Sequence, residues 1–424
     1  MLRIPCLALV AVVGCAAVEQ MSLRAGWAAN AAPLTLQDAI HRALANAPAA
    51  AAAIAQSDLD AARVREAGAP LWPTVAGLGE YNQAPGYSKA VSNGGLTQAQ
   101  LALDYTAFDG GRRASELRAA RYAADASHLG VNVARAQVVF DTTVAYFDLV
   151  HARDSVRELE RSIGRLTQYV AIVEHLQSSG RAIANDVLKI RATRDGSELA
   201  LAGAGQAVSH AGIVLDALLG ASGSAELRLP EIHELPPPPS GDIVKSPVFQ
   251  VVQRRLDAAA AGVDAARAER MPTFKLALTS GWQGINPPHT FDHNLGASYD
   301  GAINVPIFEG GLVQAHIDEA RAAQQLALTQ IRATQLSLKR DLADAVASYQ
   351  GARRQLDLLA GAQTTADDAF ALTWTRFLGG GNVTLLEVTD AYQQAENLRV
   401  TRLDDEFLAR QAAAEAALVL GAQS

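Results

Sequence analysis

Two periodicities alternate along the chain, and each change of period marks an element. Over residues 36–69, and again over 248–270, apolar positions recur at helical spacing, and the prolines beyond, Pro73 and Pro272, end each run by forcing the preceding backbone out of the helical region. Alternation then takes over. In residues 98–108 one side carries Gln98, Gln100, Asp104 and Thr106, and the other Ala99, Leu101, Leu103, Tyr105 and Ala107. In residues 295–308, Leu295, Ala297, Tyr299, Ile303, Val305 and Ile307 alternate with Gly296, Ser298, Asp300 and Asn304. Residues 74–82 and 274–283 form the preceding strands, with Phe274, Leu276, Leu278 and Trp282 opposite Lys275, Thr279 and Gln283. A period of two predicts four strands. The segments between the strands of each pair, 85–95 and 285–294, are rich in Gly, Pro, Asn and Ser and read as hairpin loops.

Very long helices follow. Residues 112–179 contain no proline and extend about 100 Å if unbroken. Leu159, Ile163, Leu166, Val170 and Val173, like Leu338, Leu342, Ala345, Tyr349, Ala352, Leu356 and Leu359, step in alternating threes and fours, the seam of a coiled coil. Gly180 and the triplet 379–381 interrupt these helices, and residues 183–219 and 383–420 are predicted to run back beside them. The arrangement occurs twice. Pro48 and Pro73 are spaced as Pro247 and Pro272 are; Phe108-Asp109-Gly110-Gly111 matches Phe308-Glu309-Gly310-Gly311; and Gly111 precedes Gly180 by the interval that separates Gly311 from Gly380. The expected organisation is an N-terminal segment (1–31), a first repeat (34–227), a linker (228–246) made extended by Pro236 to Pro239, and a second repeat (247–424).

Composition narrows the class. The 424 residues carry 36 Lys and Arg against 44 Asp and Glu, a net charge of −8, which lacks the basic footprint of a nucleic-acid binder. Hydrophobic residues make up 49% and aromatic ones 5%, as close packing of Ala-rich helices requires. Met1, Leu2 and Arg3 precede a short apolar run, too short to span a bilayer and fitting a secretory signal. Two processing routes stay open: cleavage at the lipobox-like Val12-Val13-Gly14-Cys15, which leaves Cys15 lipidated, or ordinary cleavage after Ala17 or near Ala29-Asn30-Ala31. Cys6 and Cys15 are the only cysteines, so no disulfide staples the mature chain.

Strand length ties these features to a membrane. About ten residues suit a tilted transmembrane strand, but an open four-stranded sheet leaves unpaired edges in hydrocarbon. Oligomerisation must close the barrel; three chains supply twelve strands, more than the roughly eight whose side chains plug a barrel interior. Tyr81, Tyr87, Tyr105, Trp282 and Tyr299 are girdle candidates. The competing arrangement, a soluble sandwich, leaves the coiled-coil arms without a purpose.

From about Leu34 onward the chain resembles the TolC family of outer-membrane efflux proteins. The resemblance rests on Leu34-Thr35-Leu36-Gln37-Asp38-Ala39-Ile40 before Pro48, the repeated Phe-Asp/Glu-Gly-Gly, and Leu386-Glu387-Val388-Thr389-Asp390-Ala391 after a glycine turn. It implies a mainly α fold with a transmembrane β portion: four strands per chain in a 12-stranded trimeric β-barrel, and antiparallel coiled coils forming a periplasmic α-barrel. It implies a homotrimer in the Gram-negative outer membrane and its lipid, docked on a periplasmic adaptor and an inner-membrane transporter of RND or ABC type, serving efflux or type I secretion. It places Glu387 and Asp390 at the periplasmic gate. The hairpin tips, Gly180, Arg181, Phe377, Gly380 and Gly381, are candidates for adaptor contact, and Gly110, Gly111, Gly310 and Gly311 for the barrel-to-helix turns. The triplet of glycines after Leu378 departs from the usual family turn. A different class, a periplasmic coiled-coil adaptor or scaffold, would use the helical hairpins but not the strands.

No catalytic constellation, phosphate loop or cofactor motif is present in the sequence. His289 and His293 with Asp292 make a poor metal set and read as a solvated loop. Asp367-Asp368, Arg112-Arg113 and Arg353-Arg354 read as exposed helix charges.

Overall fold

The computed structural model describes residues 33–88, 90, 94–223, 228–230, 234–285 and 295–421. The expected signal segment, Cys15 and the expected loop carrying His289 and His293 lie outside them.

In chain order the elements are α1 (Leu36–Asn46), α2 (Pro48–Gly68), β1 (Thr74–Gln83), β2 (Gly95–Phe108), α3 (Arg112–Ser178), α4 (Ala184–Leu219), α5 (Pro247–Ala268), β3 (Thr273–Ile285), β4 (Leu295–Asn304), α6 (Leu312–Leu378) and α7 (Leu385–Leu420). The first predicted helix is in fact two. Pro48 occupies the first turn of α2 and holds Ala47 at ψ 115°, because the proline ring excludes helical backbone at the preceding residue. Residues 305–308, predicted as the end of the last strand, pair with no strand among the described residues: β4 stops at Asn304, and Pro306 has no amide hydrogen to continue a ladder.

The four strands form one antiparallel sheet in the order β1-β2-β3-β4. Register fixes its faces. Val75 opposes Leu103, which opposes Leu278, which opposes Tyr299, so an apolar rung crosses all four strands. The next rung toward the helices on the other face reads Thr74, Asp104, Ala277 and Asp300. Further along, Gln98 donates to Glu80 at 2.8 Å, and the Thr279 and Ser298 hydroxyls meet at 2.5 Å. One face is thus polar, while Val75, Tyr81, Leu101, Leu295, Tyr299 and Ile303 stand exposed on the other. Tyr299 lies mid-strand rather than in a girdle at the strand end.

Helices α3 and α6 have 67 residues each, about 100 Å at 1.5 Å per residue. Their partners are shorter. Toward the sheet α2 and α5 pack on α3, and α5 on α6; at the far end α4 (36 residues) returns along α3 and α7 (36 residues) along α6. The predicted seams face inward, with Leu166, Val170, Val173, Leu338, Ala345 and Ala352 buried. A mid-molecule core joins α1, α3 and α4 through Ala39, Ala43, Tyr146, Leu149, Leu215 and Leu219. It is tied to the chain entry by the Tyr146 hydroxyl, which donates to the Leu34 carbonyl at 2.9 Å. Of the linker, residues 228–230 and 234–246 run past this level, where Leu34 N–H donates to the Arg228 carbonyl and the Tyr349 hydroxyl to that of Leu235. No described helix is long and apolar enough to cross a membrane.

Candidate functional site

The end of the molecule farthest from the sheet is built from two matching turns. Gly180 (φ 76°) and Gly380 (φ 73°) occupy the left-handed region that closes a helix. In each, reversed hydrogen bonds absorb the last free carbonyls: Gly180 N–H to Gln177 and Arg181 N–H to Leu176, then Gly380 N–H to Phe377 and Gly381 N–H to Arg376. The Arg181 guanidinium donates to the Leu378 carbonyl, so one tip holds the other. The Phe377 ring stacks on Trp374 at 5.9 Å, drawing this candidate contact residue partly into the packed tip.

Helix α7 opens on a reciprocal cap. Glu387 N–H donates to the Thr384 hydroxyl at 3.3 Å and Thr384 N–H to the Glu387 carboxylate at 2.8 Å. Glu387 is therefore a capping residue, and it remains exposed. Asp390 is also exposed, one turn along, and has no hydrogen bond or ion pair of its own among the described residues. Behind them Leu385, Val388 and Tyr392 are buried. Leu386 is exposed and Val383 half-buried, so only Leu386 shares the open surface of the two carboxylates.

The buried face of α7 meets a three-helix tie that the sequence reading missed. The Tyr169 ring of α3 lies 4.7 Å from Trp374 and 5.5 Å from Phe370, both on α6, and 6.1 Å from Tyr392 on α7. The Tyr392 hydroxyl sits 2.7 Å from that of Ser162. Burial, the largest influence, pushes the Tyr392 phenol above its ordinary value, outweighing the bonds to Ser162 and Arg165 that favour its ionisation. One turn on, Arg165 bridges Glu158 at 3.0 Å and Glu396 at 2.8 Å, while Arg399 bridges Glu396 and Asp367. Asp367, expected in solvent beside Asp368, is a member of this network. Its one sequence signal was the i, i+3 pair Glu396 and Arg399; nothing in the sequence joins residues 158 and 396.

At the other end, Gly110 (φ 67°), Gly111 (φ 87°), Gly310 (φ 63°) and Gly311 (φ 90°) turn the chain from strand into helix. The first joint is locked from within. Asp109 accepts from the amides of Gly111 and Arg113 and pairs with Arg113 Nε at 2.7 Å; the Arg113 guanidinium also donates to the carbonyls of Pro70 and Thr106. Arg113 is 8% exposed, contrary to the expectation of a surface charge, whereas Arg353 and Arg354 are exposed as expected. At the second joint Val313 takes the place of Arg113, and a surface pair holds instead, His316 Nδ1 to Glu269 at 2.8 Å.

With this geometry in place, similarity to known proteins is informative. The family of outer membrane efflux proteins matches residues 39–221 and 243–422, nearly the whole described chain. The pyoverdine export outer membrane protein OpmQ of Pseudomonas putida is 27% identical over 384 residues, covering 86% of this chain and 80% of that protein. Protein CyaE of Bordetella pertussis is 27% identical over 344 residues, covering 76% and 72%. Among solved structures, the outer membrane protein VceC of Vibrio cholerae superposes with a TM-score of 0.82 at 22% identity, covering 91% of this chain and 96% of that one. The CusC structure does so with a TM-score of 0.83 at 20% identity, covering 91% of each.

Proposed function

The chain belongs to the outer membrane efflux protein family, and on that premise we propose that three copies form a passive duct from periplasm to exterior, as the outer-membrane member of a tripartite assembly. The protein acts as a channel rather than a catalyst. The observation that supports this reading most is the sheet: four strands with one polar and one apolar exposed face, and two edges without a partner strand among the described residues. In hydrocarbon those edges must be paired, and three copies pair them all. The polar face then lines an open lumen and the apolar face meets lipid. A periplasmic scaffold would need the hairpins and leave the sheet unexplained.

The helices stand in the periplasm, and their far tips, around Gly180, Arg181, Phe377, Gly380 and Gly381, are the surface we assign to the adaptor. An inner-membrane transporter of RND or ABC type supplies cargo, which an open lumen filters weakly: small molecules or secreted proteins both fit this reading. Relatives are named for small cargo, among them a toluene efflux pump outer membrane protein of Pseudomonas putida and the cation efflux system protein CusC of Escherichia coli. If Cys15 is lipidated, it adds an anchor to the same membrane. Light scattering of the detergent-purified protein together with planar-bilayer conductance tests the proposal. A trimer that conducts is the expected result, and a monodisperse monomer without conductance would overturn it.

A further inference from the structure

Within one chain, the end of β2 meets the start of β3. Phe108 stands opposite Phe274, and the turn before β3 presses Met271 onto Gly110 so closely that a Cβ on Gly110 would lie 2.3 Å from the Met271 Cβ. Gly110 is required there twice, by its φ of 67° and by this contact. The same elements recur at the chain's two free edges. β4 runs into Gly310, and the turn of Leu71, Trp72 and Pro73 runs into β1.

Gly310 keeps the left-handed backbone of its counterpart (φ 63°), yet none of the described residues lies within 4 Å of where its Cβ would be. Before it, Ile307 is 93% and Phe308 87% exposed; across the sheet Trp72 is 74% exposed. Leu71, Trp72 and Pro73, with Leu103, Tyr105 and Leu276, line an apolar cavity of about 450 Å³ on the outer face of the sheet. Large apolar side chains this exposed beside an open glycine are half of a contact. Barrel closure supplies the other half. β4 runs toward the helices and β1 away from them, so β4 of one copy beside β1 of the next is antiparallel, as β2 and β3 are.

We propose that the Leu71–Trp72 turn of one copy seats on Gly310 of its neighbour, whose Ile307 and Phe308 cover the cavity beside Trp72. The contact formed within each chain by Met271 and Gly110 is then repeated between chains. The inference rests on the trimeric reading above, and it explains why residues 305–308 have no partner strand among the described residues of a single chain.

Cross-linking tests it, in a chain with Cys6 and Cys15 replaced by serine. Leu78→Cys with Asn304→Cys, the positions set opposite each other when the Asp104–Ala277 register of β2 and β3 repeats between copies, reports the β4–β1 seam, and Trp72→Cys with Ile307→Cys reports the proposed contact. Both pairs are expected to give covalent trimers in membranes with a short thiol reagent. If the first pair links and the second does not, the cavity holds lipid or nothing, and the contact is wrong while the barrel stands. If neither links, and the protein runs as a monomer, the trimeric reading falls with it. A second measurement compares Gly310→Ala with Gly311→Ala, which bear similar backbone strain at φ 63° and 90° and have equally open surroundings in one chain. Gly310→Ala should dissociate trimers at a clearly lower temperature in semi-native electrophoresis; equal dissociation temperatures for the two would overturn the contact.

Discussion

Arg113 joins three pieces of chain at the first strand-to-helix turn: its own helix through Asp109, the end of β2 through Thr106, and the turn before β1 through Pro70. Burial, the largest influence on Asp109, would push its carboxyl up, but the hydrogen bonds and charge of Arg113 with the Gly111 amide hold it below the ordinary 3.8. A carboxyl lowered on folding contributes stability above its unfolded value, and that contribution is lost as pH falls through the folded one. Arg113→Met leaves the carboxylate buried without its counter-charge, an effect of about 3–5 kcal/mol in comparable buried pairs. The variant should melt at lower temperature at neutral pH, and its acid transition should move to higher pH, both followed by circular dichroism in detergent. An unchanged acid midpoint would mean that Asp109 does not depend on Arg113. The sequence shows Asp109 and Arg113 one turn apart, as it shows many harmless i, i+4 pairs. What distinguishes this one is the two carbonyls aimed at the guanidinium, and these come from segments 43 and 7 residues away.

At the scale of elements, periodicity was informative wherever an element buries one continuous face. The strand pattern and the coiled-coil seams depend on local spacing alone, and the structure places them accordingly. It failed where a single residue or another copy decides. Pro48 divides a helix whose apolar pattern continues through it, and Val305 and Ile307 keep a strand's alternation without a partner strand among the described residues. The tie among α3, α6 and α7 was illegible for a different reason: its rings and ions converge from residues more than 200 positions apart. Its energetic weight is measurable. Tyr392→Phe keeps the ring and leaves the buried Ser162 hydroxyl without its partner, a cost of about 1–3 kcal/mol. That loss should appear in thermal unfolding, and hydrogen exchange should rise near residues 162–173 and 385–399 while the sheet stays protected. A uniform rise across the whole chain would show that the tie is not a local unit.

At the scale of the assembled molecule, two sets of exposed carboxylates bear on conduction in the proposed trimer. In the proposed trimer, three copies would bring the exposed Glu387 and Asp390 round the tips, and Asp104 and Asp300, which share one rung of the polar face, would line the barrel. Both rings would attract cations, but a conduction path is ruled by its narrowest part, where low-dielectric walls focus the field. Closely packed long helices converge more tightly than a twelve-stranded sheet, so the tip ring should dominate selectivity. The cap complicates the obvious test, because Glu387→Ala removes a charge and also weakens the start of α7 by about 1 kcal/mol. Glu387→Gln keeps an acceptor for the Thr384 amide, so Glu387→Gln with Asp390→Asn removes charge and spares the helix. In planar bilayers this pair should lower cation preference and weaken block by multivalent cations added on the periplasmic side, with the melting temperature nearly unchanged. Asp104→Asn with Asp300→Asn should alter selectivity less and leave periplasmic block intact. If the barrel pair has the larger effect, or the tip pair leaves block as in wild type, then Glu387 only caps its helix and the constriction lies in the barrel.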